Sequence, residues 1–173
     1  MNTEKQPTAP AFVRTFWAIH RGIYRISRGR LGPWRPKPGK RFGVMGLTTH
    51  GRRSGQPRLA MVGYFEDGRN LVTLAMNGWA DTEPAWWLNL QAKPEATVML
   101  KTGPRAVRAR KASEAEHDRL WARFDDFPGW GDDLGARVST RTTNTPIIIF
   151  EPQEMGAAGD RDSKRSESTG SRR

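Results

Sequence analysis

Residues 50 to 58 read His50-Gly51-Arg52-Arg53-Ser54-Gly55-Gln56-Pro57-Arg58, a stretch that gathers three arginines, two glycines and a hydroxyl. An arginine fork matches the paired oxygens of phosphate or carboxylate, and Gly51 and Gly55 let backbone N–H groups approach a ligand closely. The chemistry this spacing suits is anion binding. Within GLTTHGRRS, Gly46 and Gly51 have the separation of a nucleotide-binding P-loop. Arg52, however, stands where that loop needs lysine, and Arg53 where it needs the magnesium-ligating hydroxyl. Its flanks also read as two strands rather than a strand and a helix, so the P-loop reading fails. The other reactive side chains are scattered: His20, His50 and His117 have no partner at metal-ligand spacing, and Ser54 and Ser139 lack a nucleophile-elbow context. With no cysteine, disulfides, thiolate zinc sites and iron–sulfur clusters are excluded. No metal site and no side-chain nucleophile are assigned.

Charge supports an anionic partner. Of the 29 Lys and Arg residues, 13 lie in Met1–Arg58, which holds only one of the 18 acids, so the excess of +11 sits in the first third. A charge serving only solubility would spread over the surface. A concentrated one points to nucleic acid, an anionic lipid surface, or a small ligand with several phosphates or carboxylates. Aromatic residues that would stack bases are not interleaved with the arginines, and no DNA- or RNA-binding motif is present, so no nucleic acid is expected and a small anionic ligand is favoured.

The elements that must hold this turn are short. FGVMGLTTH (42–50), LAMVGYFE (59–66) and LVTLAMN (71–77) predict an antiparallel meander, with Asp67-Gly68 marking its second hairpin. AWWLNLQAK (85–93) predicts a helix of about two turns, capped by Asp81 or Thr82, with Pro84 in its first turn and Pro94 ending it. ATVML (96–100) and AVRARKA (106–112) predict another hairpin. SEAEHDRLWARFDDF (113–127) predicts a helix opened by a Ser113/Glu116 capping box, with Leu120, Trp121 and Phe124 as its apolar stripe. IIIF (147–150) closes the domain as a buried strand. Tight turns between consecutive strands make antiparallel pairs, so the expected fold is mainly β, a small barrel or roll with helices packed outside.

Outside that domain, residues 1–10 and 153–173 are too polar to order themselves, and 29–41 form a Pro/Gly/basic linker or strap. Residues 11–28 predict an amphipathic helix, with Phe12, Phe16, Ile19, Ile23 and Ile26 opposite Arg14, Arg21, Arg25 and Arg28. Its apolar face could dock on the core or lie in an anionic membrane surface. No run approaches the ~20 apolar residues of a membrane span and no signal peptide is present, so the expected location is cytoplasmic, with the inner face of the cell membrane as its peripheral variant.

LTTHGRRSGQPR, then LAMNG, then PAWWLNLQAKPEATV occur in order and at fixed spacing. Together they resemble the actinobacterial deazaflavin-dependent nitroreductase and quinone reductase family over roughly residues 40–152. The resemblance implies a split β-barrel and coenzyme F420, an 8-hydroxy-5-deazaflavin carrying a phosphate and a polyglutamate tail. It implies that Arg53 and Arg58, assisted by Arg52, Ser54 and Gly55, hold the phosphate and tail. Met61, Ala75, Met76, Asn77 and Gly78 would line the deazaflavin ring, and Trp86 and Asn89 would close the pocket. The implied reaction passes hydride from the reduced deazaflavin to a quinone, enone or nitro compound. Two departures stand out. Met76 replaces a serine that nitro-reducing members often present to the ring, and the family's substrate-side tyrosines have no counterpart, Phe127 and Trp130 occupying that region. The chain's tyrosines are Tyr24 and Tyr64 only, so nitro reduction does not transfer. A non-catalytic carrier of F420, flavin or haem on the same fold remains an alternative, as does a basic nucleic-acid-binding module; oligomeric state is not readable.

Overall fold

The computed structural model describes residues 33–76, 82–127, 130, 134–139 and 145–153. The expected helix at 11–28, residues 1–10, 29–32 and 154–173, Asp81, Asn77 and Gly78 lie outside these residues, while Gln153, expected in the polar tail, donates its N–H to the Ala106 carbonyl at 3.0 Å. Six strands close into an antiparallel barrel: β1 Gly43–His50, β2 Pro57–Asp67, β3 Asn70–Leu74, β4 Glu95–Leu100, β5 Gly103–Lys111 and β6 Ile147–Pro152. Around the barrel the order is β1-β2-β3-β6-β5-β4, with β4 returning to β1. The meander and the β4–β5 hairpin follow from their turns. Asp67 pairs with Asn70 across Gly68, whose φ of 61° suits glycine, and Leu100 pairs with Gly103, whose φ is 119°. The second turn is tighter than KTGP suggests, so Gly103 and Pro104 already belong to β5. β3 is shorter than expected: after Leu74 the Ala75 N–H bonds to the Pro146 carbonyl and the chain leaves the ladder.

Strand alternation sorts the apolar residues into two cores. Met45 and Leu47 of β1, Val62 and Tyr64 of β2, Val98 and Leu100 of β4, and Ile148 and Phe150 of β6 fill the barrel interior. Helix α1, Ala85–Ala92, belongs to that interior through Trp86, Trp87 and Leu90. Pro84 itself takes its N-cap position and no side chain caps it, which corrects the expectation of Asp81 or Thr82. The second core lies outside the barrel, where Phe65, Val72, Leu74, Ile147 and Ile149 meet Leu120, Phe124, Phe127, Trp130 and Leu134. Phe65 stacks on Phe127 at 5.4 Å and meets Phe124 edge-on at 4.9 Å.

Helix α2, Glu114–Ala122, carries the expected capping box: the Glu116 carboxylate accepts the Ser113 N–H at 2.8 Å and its hydroxyl at 2.9 Å. It ends earlier than the apolar stripe suggests, passing into tight turns as Arg123, Phe124, Asp126 and Phe127 each bond back three residues. Helix α3, Leu134–Ser139, was not expected; six residues are too few to show a stripe. The strap is fastened to β1. Trp34 exchanges backbone hydrogen bonds with Val44, and its indole donates to the Phe42 carbonyl at 3.0 Å.

Candidate cofactor site

Antiparallel register places at one end of the barrel the end of β1, the start of β2, the end of β3 and the start of β4. The β1–β2 turn and α1 both follow from chain segments at that end. In the turn, Gly51 N–H bonds to the Gln56 carbonyl at 2.9 Å, while Ser54 and Gly55 N–H groups bond to the Gly51 carbonyl at 3.2 and 2.7 Å. Gly55 has φ 67°, and a Cβ on Gly51 would lie 3.0 Å from Ser54 Oγ and 3.2 Å from the Gln56 carbonyl. Both glycines are therefore needed for the turn's shape. Their own amides are spent inside it, Gly51 on the Gln56 carbonyl and Gly55 on the Gly51 carbonyl. The amide that no hydrogen bond among the described residues uses is that of Arg53, a donor sequence reasoning missed.

Arg52, Arg53, Ser54, Gly55 and Arg58 are all exposed. Among the described residues no carboxylate pairs with any of these three arginines. Elsewhere several arginines are paired, although Arg105 on β5 has no carboxylate partner among the described residues. Arg108 pairs with Glu95, Arg110 with Glu116 and Glu151, and Arg119 and Arg123 with Asp67. Hydrogen bonds from Arg110, then from the Ser113 N–H and hydroxyl, hold the Glu116 carboxyl far below the usual carboxylate range. The Arg119 hydrogen bonds do the same, more mildly, for Asp67. Those cations are structural, whereas the turn's three have no carboxylate to neutralise them among the described residues.

Asn89 joins the turn to α1 from a position only 4% exposed, its Oδ1 accepting the Arg52 N–H at 3.1 Å. The remaining expected residues divide between the two cores. Trp86 packs in the barrel interior, 6.4 Å from Phe150, and Ala75 is wholly buried there. Met76 is half-buried against the outer core that contains Trp130, and Met61, buried on the outer face of β2, lies in neither core. Trp130 is 9% exposed and its indole N–H has no hydrogen-bond partner among the described residues. Tyr64 sits in the barrel interior, and burial, then the charge of Glu66, pushes its phenol up to about 12, against the pull of Arg35 and Arg105. It is no substitute for a substrate-side tyrosine. His50 is exposed, and His117 stacks on Trp121.

The sequence matches the family of F420H(2)-dependent quinone reductases over residues 17–152. The chain belongs to this family. It is an F420-dependent oxidoreductase, and membership favours that reading over the carrier and nucleic-acid alternatives. An F420H(2)-dependent quinone reductase of Mycobacterium tuberculosis strain H37Rv is 31% identical over 106 residues, covering 61% of this chain and 68% of its own. A second protein of that strain, named for the same activity, is 30% identical over 107 residues, covering 62% of this chain and 87% of its own. Among solved structures, an F420-H2 dependent reductase superposes with a TM-score of 0.54 at 21% identity, covering 62% of this reductase and 93% of that chain. A domain-swapped dimer does so with 0.57 at 19%, covering 80% and 99%. These two share the split-barrel fold.

The residues present suit the cofactor's anionic end. Guanidinium groups without carboxylate partners, an unused amide and a turn of fixed shape are what a phosphate and several carboxylates require.

Proposed function

We propose that this F420-dependent reductase holds the phosphate and glutamate carboxylates of its cofactor on the Arg52–Arg58 turn and reduces a quinone. The observation that carries the reading is the clustering of unpaired charge: Arg108 and Arg110 on β5 and Arg119 on α2 meet carboxylates, while Arg52, Arg53 and Arg58, exposed together on one turn, meet none among the described residues. Bound in reduced form, the deazaflavin supplies the hydride. The chain supplies position and a dry environment. Arg53 and Arg58 grip oxygens, Ser54 adds a hydroxyl, and Met61 with the 75–78 segment flanks the ring. There Ala75 can offer little but its carbonyl, since its N–H and methyl are occupied. Trp86 backs the site from the barrel interior.

Met76, a thioether, cannot deliver a proton. The Trp130 indole N–H, buried and without a partner among the described residues, is the group we assign to the acceptor's oxygen, as a hydrogen-bond donor that orients it. We further place the enzyme at the inner face of an actinobacterial cell membrane, where a lipid-soluble quinone is concentrated. That placement is supported by the cationic amphipathic pattern of residues 11–28.

Steady-state turnover of a menadione-like quinone with reduced F420 tests the reaction. Oxidation of the cofactor that depends on both enzyme and quinone is expected, and its absence would sink the quinone assignment. Cosedimentation with anionic vesicles should be lost on deleting residues 1–30; retained sedimentation would send that segment back to the core.

A further inference from the structure

Asn89 does more than its place in the motif implies. Its Oδ1 accepts from the Arg52 N–H at 3.1 Å and from Arg52 Nη1 at 3.4 Å, which uses both lone pairs of an amide oxygen. Its Nδ2 donates to Thr49 Oγ1 at 3.1 Å, and the Thr49 hydroxyl donates in turn to the Arg58 carbonyl at 3.4 Å. One side chain on α1 thus reaches the end of β1, the turn itself and, through Thr49, the start of β2. Asn89 is 4% exposed and Thr49 1%, so these bonds lie where an unpaired polar group is costly.

We infer that Asn89 is a positioning residue: it holds the arginine turn in its binding shape through the Arg52 backbone and makes no contact with the cofactor. The inference rests on the cofactor reading of that turn. Beyond Asn89, the turn's own fastening is three backbone bonds and a 3.4 Å bond from the Gln56 N–H to Ser54 Oγ, all within residues 51–56, and its side chains are exposed. Freed from α1, it would sample many shapes, and the cost of ordering it would fall on ligand binding. By spending the Arg52 amide on α1, Asn89 also leaves the Arg53 amide as the turn's open donor. Only the phosphate and carboxylate end of the cofactor would register its loss.

That asymmetry supplies the test. The full chain and its Asn89→Leu and Asn89→Ser variants are titrated with coenzyme F420, and separately with the deazaflavin chromophore lacking phosphate and glutamates. Hydrogen exchange at the Arg52 amide is followed without ligand. Expected are a tenfold or greater rise in Kd for the coenzyme, a change within twofold for the chromophore, and faster Arg52 exchange with Val98 in β4 unaffected. In turnover, KM for the coenzyme should rise while kcat holds. Asn89→Ser, which leaves room for water, keeps the comparison available if Asn89→Leu fails to fold. Equal losses for both ligands would mean direct ring contact and overturn the inference, as would unchanged coenzyme affinity beside a lowered melting temperature. A wild-type chain that binds neither ligand overturns the cofactor reading and this inference together, whereas unchanged affinity in the variants overturns this one alone.

Discussion

Replacing Arg53 with alanine removes a guanidinium that has no carboxylate partner among the described residues and sits on a turn whose backbone is held from α1. A charge-assisted hydrogen bond contributes about 1.5–3 kcal/mol where both partners are well placed. Arg53 is exposed, so solvent screening reduces the expected loss to about 1–2 kcal/mol. In Kd this is a rise of roughly 5- to 30-fold for coenzyme F420. The charge effect itself is controlled by Arg108→Ala, which removes the same unit of charge from an exposed arginine already paired with Glu95. Titration at low salt and again near 1 M, where the Debye length falls to about 3 Å, should show wild-type affinity dropping steeply and Arg53→Ala dropping less. If Arg53→Ala and Arg108→Ala weaken binding equally, the turn contributes only to a diffuse positive field and its assignment as the phosphate and tail site is wrong.

Other perturbations probe the scaffold and the acceptor side. Glu116 and Asp67 have folded pKa values below their ordinary ones, so the stability they add is present above the unfolded value and lost as pH falls below about 4.5. Thermal melts should show the wild type losing stability from there downward, and Glu116→Gln starting lower but falling less steeply; parallel curves would contradict the assigned pairing. Leu120→Ala, at a wholly buried position of the outer core, should cost about 2–5 kcal/mol in urea unfolding. Trp130→Phe keeps the ring packing against Phe42 and Phe124 and deletes the indole N–H. It should raise KM for the quinone several-fold with KM for the cofactor unchanged, and an unaltered quinone KM would remove Trp130 from the acceptor site.

Division of the arginines into paired and unpaired sets bears on how a basic chain avoids unspecific association. Arg108 and Arg110 of β5 and Arg119 of α2 neutralise acids on neighbouring elements and tie them together, as Arg110 does in reaching both α2 and β6. Little of their field is left for solvent. Arg52, Arg53 and Arg58 are cations without a carboxylate partner among the described residues, gathered on one exposed turn, where steering an anionic cofactor gains from them.

What the linear chain determined is whatever depends on residues close in sequence. The Asp67-Gly68 hairpin, the Ser113/Glu116 capping box, the α1 span and the arginine turn were legible because each is set by conformations and hydrogen bonds spanning a few positions. Motif order also identified the family. Only the tertiary structure decided how β6 inserts between β3 and β5, and that Ala75 points into the barrel while Met76 packs outside it. It alone showed that the Arg52 amide is spent on a side chain 37 positions away. No local rule reaches across such a separation, because which groups meet there is settled by barrel closure, and barrel closure by the burial of two apolar faces at once.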